Sequence, residues 1–149
     1  MDLFILYWIL VMVITAGLVS ASVFCIVALT DLEADLVNPI DLARRLNPLF
    51  STDISFHSAL CLLFLVNFET TLLLLNSVLF GFHMYWLFTG QNKIFAADIF
   101  KLLPTYKKRY AIKLGFYIVT FFLYLYWFIY YLIHIYASPA LKTMKIPVY

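Results

Sequence analysis

Charged residues are scarce in this chain and absent from long stretches of it. Only 12% of the residues are charged, whereas soluble proteins average about 25%. Residues 3–30 and 114–141 contain no Lys, Arg, Asp or Glu, and residues 54–92 contain only Glu69. Because about 20 apolar residues suffice to cross the hydrocarbon layer, each stretch is long enough to span a membrane. An aqueous domain is excluded, since 149 residues that are 65% hydrophobic could not bury that much apolar surface.

Basic residues and cysteines are also few. The net charge of +2 and the absence of a basic motif interleaved with aromatic residues argue against a nucleic-acid partner. Cys25 and Cys61 both fall inside apolar stretches, so no disulfide framework is implied.

Catalytic and metal-binding patterns are missing as well. Asp31, Glu33 and Asp35 alternate along the chain, an arrangement that scatters carboxylates around a helix, and there is no Gly-rich phosphate loop. The three histidines lie on separate segments without the spacing of a metal-binding motif: His57, His83 and His134. We therefore expect no enzyme, cofactor or metal site. An intramembrane lipid-modifying enzyme that uses the acidic stretch is the minor alternative, and a channel or transporter is another.

The middle apolar stretch decides the topology. As one helix, residues 54–89 would be about 54 Å long, too long for a hydrocarbon core of about 30 Å. Two short helices with a turn at Leu75-Asn76-Ser77 fit better, because Asn and Ser favour turns. The predicted spans are 3–29, 54–74, 77–90 and 114–137, joined at one face by loops 30–53 and 91–113. Hydropathy alone would report three spans.

Basic residues support four spans. Four spans put both loops on one face, together with most of the basic residues, and leave two lysines on the other. Loop residues on the first face are Arg44, Arg45, Lys93, Lys101, Lys107, Lys108, Arg109 and Lys113, and Lys142 and Lys145 are on the second. The positive-inside rule then makes both loops cytosolic.

The loops contain helix signals of their own. Asn38-Pro39 is typical of a helix start and Asn47-Pro48 of its stop, with apolar residues at helical spacing between them. Residues 94–103, which precede Pro104, resemble a second interfacial helix. The predicted fold is a single all-α membrane domain over residues 1–149, a four-transmembrane-helix bundle with cytosolic amphipathic loop helices.

Polar and aromatic residues within the spans are the remaining candidates for recognition. Asn67, Glu69 and Asn76 are costly in lipid and should face another helix, water or a partner protein. Tyr117 and Tyr124 share a helix face, which favours helix packing over a ligand site, with an aromatic surface that faces a partner protein as the alternative.

Several segments, taken in order, resemble one family. They are 31–35 (DLEAD), 38–40 (NPI), 46–49 (LNPL), His57, Phe64-Leu65, Asn67, 97–99 (ADI), 113–117 (KLGFY) and 121–126 (FFLYLY). This chain is similar to the cornichon family across residues 3–136, and the short loop between its third and fourth spans resembles the plant and fungal branch. The resemblance implies a cargo receptor that loads membrane proteins into COPII vesicles at endoplasmic reticulum exit sites. Some animal relatives are auxiliary subunits of glutamate receptors.

The resemblance also suggests site residues. A segment similar to the coat-contacting segment of the fungal receptor comprises Ile99, Phe100, Lys101, Leu102 and Leu103. Its alternatives are a membrane anchor and, with Asp98, an acidic dileucine signal. Client binding is expected at Phe64, Leu65 and Asn67, with packing inside the bundle as the alternative. The cluster Lys107, Lys108 and Arg109 should lie at the membrane surface, either attracting anionic lipids or only setting orientation.

These observations predict a non-enzymatic receptor that cycles between the endoplasmic reticulum and Golgi membranes. Its expected partners are membrane-protein clients, a COPII coat adaptor and the lipid bilayer. The main alternative is an auxiliary subunit that modulates an ion channel or transporter. The tail 137–149 lacks the acidic C-terminus that some family members carry, and the sequence leaves the clients and the oligomeric state open.

Overall fold

The computed structural model describes residues 3–137, which form four long helices. They are α1 (Leu3–Glu33), α2 (Pro39–Val66), α3 (Thr70–Phe88) and α4 (Ile99–Leu132), and a short π-helix, Ile133–Ala137, continues α4. Each of the four is long and apolar enough to cross a membrane. The predicted all-α, four-helix membrane bundle is confirmed for these residues. The tail beyond Ala137, with Lys142 and Lys145, lies outside the described range.

The connection between α1 and α2 follows its sequence signals. Asp35, with φ of 57°, adopts the left-handed conformation that ends a helix, and the Leu36 amide donates to the Asp31 carbonyl at 2.9 Å. The predicted start of α2 is confirmed: the Asn38 side chain accepts a hydrogen bond from the Ile40 amide at 2.8 Å, and Pro39 is the first helical residue.

The predicted helix stop at Asn47-Pro48 is wrong, because α2 runs through Pro48 without a break. Proline inside a helix removes one backbone hydrogen bond, at a cost of about 3 kcal/mol. Apolar packing offsets this cost, since Leu46 and Phe50, on either side of Pro48, are both buried in the same core cluster. The predicted loop helix is therefore the first part of α2.

The predicted turn at Leu75-Asn76-Ser77 is also wrong. The chain reverses at Asn67, Phe68 and Glu69, so the second and third spans are Pro39–Val66 and Thr70–Phe88 rather than 54–74 and 77–90. Asn76 lies inside α3, where its side chain is buried and hydrogen-bonded to other helices. A tertiary partner therefore replaces the local turn that Asn favours in isolation.

The prediction of a second loop helix ended by Pro104 is wrong in both respects. Residues 93–95 are irregular and residues 96–98 form a turn, and α4 begins at Ile99 and continues through Pro104. The buried residues at the start of α4, Ile99, Leu103, Tyr106 and Tyr110, recur at helical spacing on both sides of that proline. Their shared burial favours one continuous helix over a stop.

The four helices alternate in direction, so the two long connections lie at one end. We call this end, formed by residues 33–38 and 89–98, the charged end, and the opposite end, with the turn at residues 67–69, the turn end. Asn47 of α2 binds Ile94 of the second connection through both its oxygen and its nitrogen, at 2.7 and 3.0 Å, which ties that connection to α2. Both connections thus lie at one end of the bundle, as four alternating helices require.

Two apolar clusters fill the bundle. The cluster towards the charged end includes Leu29, Leu46 and Ile99, and the cluster towards the turn end includes Trp8, Phe64 and Tyr124. α1 packs on α4 and α2, and α2 packs on α3. Since α2 has 28 residues and α3 has 19, the first turns of α2 project about 13 Å past α3. The charged end thus extends beyond the shortest span.

Candidate functional site

A layer of polar side chains crosses the bundle between the two apolar clusters. Its centre is Asp53 of α2, which is 4% exposed. The Lys113 ammonium donates to Asp53 Oδ2, and the Tyr117 hydroxyl donates to Oδ1 at 3.1 Å. His83 of α3 brings Nε2 within 3.7 Å of the same carboxylate. One buried carboxylate thereby links three helices.

A second set of hydrogen bonds continues this layer towards the turn end. His57 Nε2 lies 3.2 Å from Asn76 Oδ1, and Asn76 exchanges hydrogen bonds with the Tyr124 hydroxyl at 2.7 and 2.9 Å. The rings of His57 and His83 meet edge to face, with centroids 4.9 Å apart. Two of the three histidines that the sequence placed on separate segments, His57 and His83, are therefore neighbours in the fold.

The polar layer is suited to holding the helices together. Inside a bilayer, polar side chains are stabilised only when they find partners on neighbouring helices, and here the partners come from α2, α3 and α4. Within residues 3–137, no group of three His, Cys, Asp or Glu side chains has the geometry of a metal site. Asp53 and Lys113 were missed by sequence reasoning, because each was assigned to the end of a loop. The signal that could have found Asp53 is its spacing of four residues from His57.

The predicted coat-contacting segment forms the first turns of α4 and is divided between two faces. Ile99 and Leu103 are 0% and 6% exposed and pack in the charged-end cluster. Phe100, Lys101 and Leu102 face outward, and Phe100 is 55% exposed. Only these three residues can contact a partner directly. The dileucine alternative has one buried leucine.

The second connection is fixed beside this segment. In addition to the paired hydrogen bonds between Asn47 and Ile94, the Tyr106 hydroxyl donates to the Lys93 carbonyl at 3.3 Å. Ile94 is 2% exposed, whereas Phe95 is 61% exposed. These contacts fix the exposed residue Phe95 in position relative to the start of α4.

The residues expected to bind clients lie at the turn end and differ in exposure. Phe64 is fully buried, with its ring centroid 5.2 Å from that of Tyr124. Leu65 is 56% exposed. Asn67 is exposed at the C-cap of α2, where its side-chain nitrogen donates to the Leu63 carbonyl at 2.9 Å. A client could therefore contact Leu65 and Asn67, whereas Phe64 supports them from inside.

Glu69 follows in the turn itself and is partly exposed. Partial burial raises the pKa of its carboxyl group above the ordinary value, and a hydrogen bond with Tyr131 acts in the opposite direction. Phe4 of α1 packs edge to face on Tyr131, with ring centroids 5.7 Å apart. The start of α1, the turn and the end of α4 thus meet at the turn end.

The three members of the basic cluster have different surroundings. Lys107 forms an ion pair with Glu33 at 2.5 Å. Arg109 donates to the Gln91 carbonyl at 2.9 Å and lies over the Trp86 ring, 4.3 Å from its centroid. Lys108 is exposed. The ion pair at Glu33 thus joins the end of α1 to α4.

Comparison with known proteins identifies the fold that holds these surfaces. A family model described as "Cornichon protein" matches residues 4–126. The chain belongs to the cornichon family. The match reaches from the first turn of α1 into the last third of α4 and includes both connections, so the resemblance found in the sequence is confirmed.

Individual cornichon relatives match over most of their length. The Schizosaccharomyces pombe "ER-derived vesicles protein erv14" is 36% identical over 105 residues, which cover 70% of this chain and 77% of the relative. The Arabidopsis thaliana "Protein cornichon homolog 3" is 34% identical over 125 residues, 83% of this chain and 90% of the relative. The Saccharomyces cerevisiae "ER-derived vesicles protein ERV15" is 34% identical over 96 residues, 64% and 68% respectively.

Proposed function

We propose that this chain is a cargo receptor that selects transmembrane client proteins for COPII export from the endoplasmic reticulum to the Golgi. Two of its relatives carry the name "ER-derived vesicles protein", which supports a location in the endoplasmic reticulum and early secretory membranes. The proposal assigns no catalytic step to the chain. Like other receptors in a transport cycle, it would pass through exit sites and return from the Golgi.

The charged end faces the cytosol in this proposal. Basic residues are concentrated there, on the two connections and the adjoining turns of α2 and α4, and such residues are retained on the cytosolic side. The turn end is then lumenal. This orientation presents the start of α4 to a cytosolic coat.

Coat contact is assigned to Phe100, Lys101 and Leu102. Phe100 and Leu102 are 55% and 37% exposed, and burying such side chains on a partner contributes roughly 25 cal/mol for each Å² of apolar area. Lys101 adds a charge that an acidic coat surface would attract. Ile99 and Leu103 anchor the segment in the core, so the outward residues are held on a rigid helix.

Client contact is assigned to Leu65 and Asn67 at the turn end. Leu65 offers apolar area in the bilayer, and Asn67 offers an amide that can hydrogen-bond to a client helix. The observation that carries the proposal is the separation of these two surfaces: exposed residues of the coat segment and of the client segment lie at opposite ends of one bundle. A receptor of this design binds a client and the coat at the same time.

The experiment compares the membrane proteins packaged into endoplasmic-reticulum-derived vesicles with and without this chain. We expect a defined set of clients to be lost without it, and to be reduced by the Leu65→Ala/Asn67→Ala double variant. Leu74→Ala is the matched control, because it removes a leucine that is 64% exposed on α3. Unchanged packaging without the chain would overturn the proposed function. If clients were lost without the chain but were packaged normally with the double variant, the assignment of the client surface would be overturned instead.

A further inference from the structure

A groove of about 240 Å³ opens between α3 and α4 near the charged end. Its walls are apolar and include Leu79 and Phe82 of α3 and Ile112 of α4. Lys108 and Arg109 line the same groove, on the side nearer the charged end. The groove therefore has one apolar part and one basic part.

The positive charge in this groove is not neutralised by neighbouring carboxylates in the described part of the chain. Glu33 is paired with Lys107, and Asp53 is paired with Lys113. Arg109 is fixed by Trp86 and by neutral oxygens of Gln91, at 2.9 Å for the carbonyl and 3.1 Å for Oε1. A guanidinium has five N–H donors, so three remain for a ligand. Lys108 is exposed beside it.

Lys108 and Arg109 lie at the depth in the membrane where lipid headgroups are found. Trp86 lies in the last turn of α3, two residues before the helix ends at Phe88, and tryptophans at the ends of spans mark the headgroup level. The apolar walls run from there towards the middle of the span. Basic pockets between transmembrane helices bind anionic headgroups.

We propose that the groove binds one phospholipid with a net negative charge. Its phosphate and headgroup lie against Lys108 and Arg109, and an acyl chain lies along Leu79, Phe82 and Ile112. A zwitterionic phospholipid offers the same chain but no net charge to match the two cations, so the anionic class is preferred. A soluble phosphate ion would leave the apolar walls uncovered.

The test measures the thermal stability of the full chain in nanodiscs of phosphatidylcholine alone and in nanodiscs with added phosphatidylserine, and counts retained lipid by native mass spectrometry. We expect phosphatidylserine to raise the midpoint temperature of thermal unfolding of the wild-type chain. We also expect one phosphatidylserine molecule to be retained on each chain. Lys108→Glu should weaken retention about tenfold. The control is Lys93→Glu, which makes the same charge change on an exposed lysine of the connection and should retain the lipid.

A second variant tests the apolar part. Ile112 is 62% exposed, so Ile112→Trp should fill the groove without disturbing the core and should displace the lipid. Equal retention of zwitterionic and anionic lipids would overturn the proposal. So would equal loss in Lys93→Glu and Lys108→Glu, which indicates only general surface attraction. Equal stabilisation by inorganic phosphate would overturn it as well, because the ligand would then be a free ion.

Discussion

Asp53 of α2 and Lys113 of α4 form an ion pair inside the bundle, where each side chain is 3% exposed. Asp53 lies 13 residues from the end of α2, and His83 lies at the corresponding depth of α3. The pair is thus about 20 Å from the turn end and within about one turn of helix of the level of Trp86. Two charges at that depth persist because each neutralises the other.

This arrangement predicts strong coupling between the two residues. Asp53→Asn should leave the Lys113 charge buried without its counterion, at a cost of about 3–5 kcal/mol in the free energy of unfolding. Lys113→Met should cost a similar amount for the converse reason. The Asp53→Asn/Lys113→Met double variant should be no less stable than either single variant, as measured by denaturation in mixed detergent micelles.

The exposed ion pair between Lys107 and Glu33 is the control for this cycle. Its side chains are 30% and 58% exposed, and Glu33→Gln should cost less than about 1 kcal/mol. Additive losses in the Asp53 and Lys113 double variant would mean that the two charges do not stabilise each other.

The second prediction concerns the two hydrogen bonds between Asn47 and Ile94, which we call the clamp. Asn47→Ala removes both hydrogen bonds and leaves the buried backbone groups of Ile94 unpaired, which should cost about 1–3 kcal/mol. Hydrogen exchange at residues 89–98 should speed up while the centres of α2 and α3 stay protected. Asn92→Ala, on the same connection, is the comparison. If both variants exchanged alike, the clamp would not hold the connection in place.

The third prediction isolates backbone strain at Phe68. This residue has φ of 57°, which residues other than glycine rarely adopt, and it is 89% exposed. Phe68→Gly and Phe68→Ala both remove the ring, but only glycine relieves the strain. The glycine variant should be more stable than the alanine variant by about 1 kcal/mol in the same denaturation assay. Equal stabilities would contradict the strained turn.

The fourth prediction addresses orientation. Leu36→Cys and Phe95→Cys, at positions that are 74% and 61% exposed at the charged end, should react with a membrane-impermeant thiol reagent added to sealed microsomes. Phe68→Cys should react only after permeabilisation. The native thiols of Cys25 and Cys61 are buried and should give a low background. The reverse pattern would place the charged end in the lumen.

The sequence predicted the features that depend on length and charge. Four spans followed from an apolar stretch too long for one helix and from basic residues that belong on one face. The start of α2 followed from the local capping chemistry of Asn38 and Pro39. These properties are set by the bilayer and by neighbouring residues, so a one-dimensional pattern contains them.

The features that were missed depend on distant contacts. Asn47-Pro48 looked like a helix stop, yet Asn47 binds Ile94 and the packing of Leu46 and Phe50 carries α2 across the proline. Asn76 looked like a turn residue, but its partners are His57 and Tyr124. A pattern along the chain cannot show which helix faces supply those partners. The predicted second span, 54–74, accordingly began one residue after Asp53, which lies inside α2.

The predicted coat-contacting segment, residues 99–103, also shows that a pattern along the chain does not reveal which helix faces are buried. The resemblance identified five consecutive residues, and helical geometry divides them into a buried pair and an exposed trio. A variant that changed all five would remove core contacts of Ile99 and Leu103 together with any partner contact. Only Phe100, Lys101 and Leu102 can be changed to test recognition without disturbing the fold.

The most direct test of the receptor account is in vitro vesicle budding with Phe100→Ala/Lys101→Ala/Leu102→Ala. Its control is Phe95→Ala/Lys93→Ala/Leu36→Ala, which removes the same three residue types from exposed positions at the same end. The account predicts that the first variant folds and still binds clients, but that the variant and its clients remain in the donor membrane. The control should be packaged normally. Packaging of the first variant at wild-type levels would contradict coat recognition through the start of α4.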